Sequence, residues 1–365
     1  MPAETQEQPK EKPKKHSFHI GGVSSVDLLF FVQNLEIMVR TGFAIADALG
    51  VIAPQVKRKM MREALVEIHG NVEKGKTLAT SLEQFPRIFP DLLVQMVAAG
   101  EASGQLDITL KQITLQLKKT YTLKKKITNA LIYPAVILIA MVLVGTGLVI
   151  FVLPKVLSLF ENGEFDVPLP TRILLAIAHF FENNGLLAAI VFVALIIFFI
   201  ISLRISSGKK FWQAVLLRTP VVSKILIEIQ LARFFRTISS LLATDIPIVE
   251  SFKILHNIQP FYQYKKIIFS ASSQLQQGKT IHESLNQNAK LFPPQTVQMM
   301  RVGEESGTLD EITKEVADFY EGEVDNTMSN LTVIIEPALM VFLGLGVAFI
   351  AVSIIMPIYS LANQV

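Results

Sequence analysis

Thirteen residues at positions 95–107 (QMVAAGEASGQLD) return 203 positions later at 298–310 (QMMRVGEESGTLD), eight of them unchanged. The same offset, without a gap, lays Thr41 on Thr244 and Gly75-Lys76-Thr77 on Gly278-Lys279-Thr280. It also lays Phe89-Pro90 on Phe292-Pro293 and Pro134 on Pro337. Matches spread this widely at one spacing mean that the chain contains one structural unit twice. Any fold proposed for one copy must therefore suit the residues of both.

Each copy runs into apolar sequence. The chain is 51% hydrophobic and only 18% charged, against about 25% charged in soluble domains. The excess lies in three runs. Residues 130–153 carry no charge, and 24 residues at ~1.5 Å each can cross a ~30 Å hydrocarbon core. The second run, 173–203, is interrupted by Glu182-Asn183-Asn184-Gly185, which places its span at about 186–203 behind an interfacial segment. The third, 331–358, carries Glu336, Pro337 and Pro357. Basic residues gather beside the runs at Lys118 to Lys126 and at Arg204, Lys209, Lys210 and Arg218, whereas the loop 154–172 has only Lys155 and Arg172. The positive-inside rule then puts both repeats and the N-terminus in the cytoplasm and the C-terminus outside.

Within the repeats the apolar spacing is helical. Ser24 or Ser25 can cap a helix with Leu28, Phe31, Leu35, Met38 and Val39 on one face. Met61, Leu65, Ile68 and Val72 mark an amphipathic helix, and no period-2 strand pattern is present. The expected fold is an all-α membrane protein with two homologous cytoplasmic helical-bundle domains and three transmembrane helices. Its expected segments are a disordered cytoplasmic tail (1–24), a first cytoplasmic domain (25–130) and a first span (131–153). An extracytoplasmic loop (154–172), an interfacial segment with the second span (173–203) and a second cytoplasmic domain (204–332) follow. The third span (333–358) and a short external tail (359–365) complete the chain.

Several chemistries are excluded. With no cysteine there is no disulfide, Cys-ligated zinc, iron–sulfur cluster or thiol nucleophile. The six histidines are scattered and form no HExxH or Ser–His–Asp pattern. A net charge of +3 does not suggest nucleic-acid binding. Residues 70–77 (GNVEKGKT) satisfy the P-loop spacing, but a P-loop needs a buried strand before its first glycine. Here an amphipathic helical pattern precedes it, and the second copy lacks that glycine. The simpler reading ends one helix at Gly75 and caps the next with Thr77, and Thr280 with Glu283 reads as a capping box. No catalytic residue, cofactor site or metal site is expected.

The motif Gly-Glu-x-Ser-Gly-x-Leu-Asp reads as a helix-to-helix turn. Gly100 and Gly303 allow close packing, Gly104 and Gly307 supply left-handed caps, and Asp107 and Asp310 suit the next first turn. Glu101, Glu304 and Glu305 read as solvated turn carboxylates before they read as ligands for a cation or partner. Together Gly100, Glu101, Ser103, Gly104, Gly303, Glu304, Ser306 and Gly307 form the candidate hinge or partner-binding set. In the membrane the candidates are Glu336, a carboxylate at the start of a span, with Pro134, Pro337 and Gly344. Gly344 and Ala348 have small-xxx-small spacing.

These residues resemble the GspF/PilC family of inner-membrane platform proteins of type II secretion systems and type IV pili. The resemblance rests on Gln33-Asn34-Leu35 through Thr41-Gly42-Phe43 and Ala48-Leu49, and on the paired Gly-Glu-x-Ser-Gly-x-Leu motifs. Tyr133-Pro134, Val167-Pro168-Leu169-Pro170-Thr171 and Glu336-Pro337…Gly344…Met356-Pro357-Ile358 extend it to about residues 25–361. The family's first helix often carries Arg-Gln where this chain has Val32-Gln33 and, in the second copy, Phe235-Arg236. The resemblance implies a non-enzymatic platform that couples a hexameric pilus or secretion ATPase to polymerisation of pilins or pseudopilins. It also implies contacts with other inner-membrane assembly proteins and the bilayer, and self-association as a homo-oligomer. The alternative function is a small transporter or channel component, against which three spans offer little pore lining.

Overall fold

The computed structural model describes residues 24–147 and 205–362, with scattered positions between 172 and 203. All regular structure among the described residues is helical. The first copy comprises α1 (Ser25–Arg40), α2 (Ile45–Ile52), α3 (Lys59–Glu73), α4 (Leu78–Glu83), α5 (Asp91–Ser103) and α6 (Leu106–Gly147). After α7 (Ser206–Leu216), the second copy comprises α8 (Pro220–Leu242), α9 (Ile248–Ile258), α10 (Tyr262–Gln276), α11 (Ile281–Asn286), α12 (Pro294–Ser306) and α13 (Leu309–Ala362).

The 203-residue offset holds to the residue. Helices α3, α4 and α5 begin and end where α10, α11 and α12 begin and end, and Leu106 and Leu309 both open the last helix. The turns explain this register. Gly75 and Gly278 have φ of 83° and 84°, and Gly104 and Gly307 have 70° and 74°, a region open to glycine at no steric cost. Thr77 and Thr280 then cap α4 and α11, the latter through a full capping box with Glu283. Ser24 caps α1 as its position suggests.

Each copy has its own core, built on equivalent ring pairs. Phe31 lies 5.6 Å from Phe89, and the equivalent Phe234 lies 5.1 Å from Phe292. Around the second pair close Phe252, Tyr264 and Phe235, with Phe235 stacked on Tyr320. Aromatic pairs in these geometries add about 1 kcal/mol each beyond area burial.

The copies also differ. Helix α8 starts eight residues before the counterpart of Ser25, and α7 precedes it, so the second copy is more than a repeat of the first. The compact units also divide at Thr114/Leu115, inside α6. From Leu115 onward α6 belongs to the second unit, where Leu123 joins the core of α8, α10 and α13.

Helices α6 and α13 are the two described helices long and apolar enough to cross a membrane, and their apolar stretches are 6% and 0% buried. A core helix of a soluble domain would hide such residues. The second expected span, at about 186–203, is described in part, its described residues are helical, and Val193–Leu203 is a shorter apolar helix; residues 1–23 and the loop 154–171 fall outside the described residues.

Candidate functional site

The Gly-Glu-x-Ser-Gly turn is assembled from the sequence upward. Helix α5 packs against the start of α6 so closely that a Cβ on Gly100 would stand 2.4 Å from Thr109 Oγ1. At Gly303 the same Cβ would meet Ile312 at 3.2 Å. Gly104 then reverses the chain, and the Gln105 amide donates to the Gly100 carbonyl at 2.9 Å. In the second copy the Thr308 amide donates to Gly303 at 3.0 Å. The serines donate back into the last turn of their helices: Ser103 to the Gly100 carbonyl, and Ser306 to that of Val302.

Glu101 and Glu304 are not solvated turn carboxylates. Glu101 accepts from the Leu78 amide at 2.6 Å and from the Ala79 amide at 2.8 Å. Glu304 accepts from the Ile281 amide, from the His282 amide at 3.0 Å and, through Oε2, meets His282 Nδ1 at 2.8 Å. Each carboxylate occupies the positive end of a short helix and satisfies first-turn N–H groups that lack helical partners. The Gly-Lys-Thr turn and the Gly-Glu-x-Ser-Gly turn, separate in sequence, therefore form one junction in each copy. In the first copy α3, not a strand, precedes the Gly75 turn, and Lys76 Nζ donates to Asn71 Oδ1 at 3.0 Å. Glu305 stands apart, paired at the surface with Arg301.

The membrane candidates do not converge. Pro134 is buried within α6, Glu336 and Pro337 are exposed on α13, and no atom lies within 4 Å of a Cβ placed on Gly344.

A second cluster was not singled out in the sequence. Lys119 Nζ on α6 lies 3.0 Å from Asp318 and 2.8 Å from Glu321 on α13. Arg236 on α8 binds the same two carboxylates, reaching Glu321 Oε1 at 2.7 Å. Lys126 pairs with Asp325 one step nearer the membrane segment. Beneath them Gln116 bridges Thr237 at 3.2 Å and Ser240 at 3.0 Å. Burial works to raise the Asp318 pKa, but the Lys119 and Arg236 donors outweigh it and hold the carboxyl below its ordinary range. Burial likewise opposes the Lys119 charge, and Glu321 and Asp318 overcome it to raise that pKa. The counterparts in the first copy are Gln33, Leu115 and Lys118, so this network belongs to the second unit alone. The signal available in sequence was the departure Phe235-Arg236, opposite basic residues on α6 and acidic residues on α13.

Two copies of one helical bundle, each opening into a long exposed apolar helix, define a duplicated membrane protein. The family described as "Type II secretion system (T2SS), protein F" matches this chain twice, over residues 31–154 and 234–357, again 203 residues apart. Relatives include the type IV pilus assembly protein PilC of Myxococcus xanthus, 32% identical over 94% of this chain and 82% of the relative. The PilC of Pseudomonas aeruginosa is 31% identical over 94% and 92%, and the type II secretion system protein F of Aeromonas hydrophila is 30% identical over 99% and 93%. The chain belongs to the type II secretion protein F family, the inner-membrane platform proteins of pilus and secretion machinery.

Proposed function

We propose that the chain couples a hexameric cytoplasmic assembly ATPase to polymerisation of pilins or pseudopilins. Both helical bundles lie in the cytoplasm in this reading, with the N-terminus inside and the C-terminus outside. The repeats at 25–130 and 204–332 contact the ATPase and other inner-membrane assembly proteins. The spans at 131–153, 173–203 and 333–358, with Glu336, Pro337 and Gly344, offer subunits a surface on their way out of the bilayer. The platform acts as a homo-oligomer. The observation that carries the reading is the double, in-register family match with relatives named for pilus assembly and type II secretion. The basic flanks support the orientation.

Deleting the gene should abolish surface fibres or secretion of a reporter substrate, with restoration by the wild-type chain. Purified protein should retain the assembly ATPase in a pull-down. Reporter fusions after Glu164 and after Asn363 should both read outside. Normal fibres and secretion in the deletion strain would remove the functional reading, and a cytoplasmic signal at Asn363 would remove the three-span orientation.

A further inference from the structure

The contact between α6 and α13 uses opposite charge. Over residues 106–130 α6 carries six lysines and one acid, and over 309–333 α13 carries seven acids and one lysine. Only one side of each helix is spent on the other: Lys119 and Lys126 against Asp318, Glu321 and Asp325. The far side of α6 leaves Leu115 45% exposed, with Lys118, Thr122 and Lys125 also exposed. The far side of α13 leaves Phe319 58% exposed, flanked by Glu315 and Asn326.

The repeat identifies these bare faces. The α6 residues turned toward α8 and α13 are Gln116, Lys119, Leu123 and Lys126. At an offset of 203 they correspond to Phe319, Gly322, Asn326 and Ser329, the outward side of α13. The α13 residues turned toward α6, Asp318, Glu321 and Asp325, correspond to Leu115, Lys118 and Thr122, the outward side of α6. Each helix thus exposes the face that its counterpart buries. Within the chain α6 already occupies the other flank of α13, so it cannot also cover Phe319.

We propose that a second copy of this chain covers both faces about a two-fold axis. Helix α13 of each copy lies against α6 of the other, and the four helices alternate basic, acidic, basic, acidic around the axis. The Lys119–Asp318 contact corresponds at the same offset to Gly322 against Leu115 of the second copy, and Phe319, one turn from Gly322, packs on that Leu115. Glu315 and Glu323, one turn to either side of Phe319, flank the opposing Lys118. Such a contact repeats twice and closes, as an isologous dimer requires, and its charge pattern rejects the like pairing of α6 with α6.

This deepens the homo-oligomer reading above by naming its surface, and it is tested separately from assembly. The chain has no cysteine, so introduced thiols report alone. Leu115→Cys with Phe319→Cys in one chain, oxidised in membranes with copper phenanthroline, should give a disulfide-linked dimer on a non-reducing gel. Neither single variant should do so. Lys119→Cys with Asp318→Cys, neighbours within one chain, serves as the folding control and should close without a dimer band. Adding Lys118→Glu to the reporter pair should lower the dimer yield by about tenfold, and adding Glu315→Lys to that variant should restore it. Absence of the dimer band while the control closes overturns the proposal, and a ladder beyond dimer overturns its two-fold closure. A dimer by light scattering that the reporter pair fails to trap would sink this surface while leaving the homo-oligomer standing.

Discussion

Asp245 takes, in the second copy, the backbone conformation that Gly42 takes in the first: φ is 57° at Asp245 and 90° at Gly42. Every other positive-φ residue among those described is a glycine paired with a glycine at the same offset. Aspartate is among the few side chains that visit this region, because a short polar group can bond locally. Asp245→Gly should therefore leave the melting temperature in detergent within error of wild type or raise it. Asp245→Val should cost about 1–2 kcal/mol. An unchanged melting temperature in the valine variant would show that the turn relaxes out of the left-handed region.

The two buttress glutamates should behave alike. Hydrogen bonds to a charged partner contribute about 1.5–3 kcal/mol, and each carboxylate receives two backbone amides. Glu101→Gln and Glu304→Gln each keep one acceptor oxygen, so each should destabilise by about 1–2 kcal/mol. Nearby amides at the starts of α4 and α11 should gain hydrogen-exchange rate. Wild-type exchange at Leu78 and Ala79 in Glu101→Gln would remove the anchoring role.

The close approach at α5 differs between the copies in degree. Gly100→Ala drives a methyl into the Oγ1 and Cβ of β-branched Thr109, whereas Gly303→Ala meets Ile312 at a distance that a few tenths of an ångström relieve. Overpacking costs about 1–3 kcal/mol, so Gly100→Ala should fall at the upper end and Gly303→Ala at the lower. Thr109→Ala should rescue part of the first loss and none of the second. Equal melting temperatures for the two glycine variants would contradict this order. At Gly307, a valine meets no clash but must adopt φ near 74°, and α13 extends that turn into the membrane. We expect Gly307→Val to insert normally, by membrane blot, and to impair fibre assembly or secretion.

Local signals carried most of the fold. Helix ends were legible at Gly75, Gly104, Gly278 and Gly307 because a left-handed cap has a residue signature, and Thr77 and Thr280 announce the helices that follow. Asp245 gave no such signal, since only alignment with Gly42 reveals its turn. The partners of Glu101 and Glu304 lie 22 and 23 residues away across a bundle, and helical periodicity says nothing about contacts at that range. For the same reason the carboxylates read as solvated in sequence. The Lys119–Arg236–Asp318–Glu321 network was hidden more deeply. It joins the last helix of one copy to the first and last helices of the other, and its residues have no equivalents in the first unit.

That network predicts opposite behaviour at the two ends of the pH scale. The folded pKa of Asp318 is depressed, so its stabilisation is present above the ordinary aspartate range and is lost as pH falls through the folded value. The folded pKa of Lys119 is raised, so its share is present below the ordinary lysine value and disappears as pH rises through the folded one. Glu228 is the contrasting case. It is 5% exposed, its Oε2 has no hydrogen-bond partner, and burial raises its pKa above the usual glutamate range. Between the unfolded and folded values the native state binds more protons, so stability due to this group falls as pH rises through that window. Glu228→Gln removes the buried charge while keeping the shape. Its melting temperature should exceed that of wild type at pH 7, and the gain should shrink as the pH is lowered toward and below the glutamate range. Asp318→Asn should show the reverse, a loss at pH 7 that fades in acid. Thermal melts of both variants in detergent between pH 4 and 8 check the pair, and a Glu228→Gln gain independent of pH would show that folding does not raise the pKa of this carboxyl.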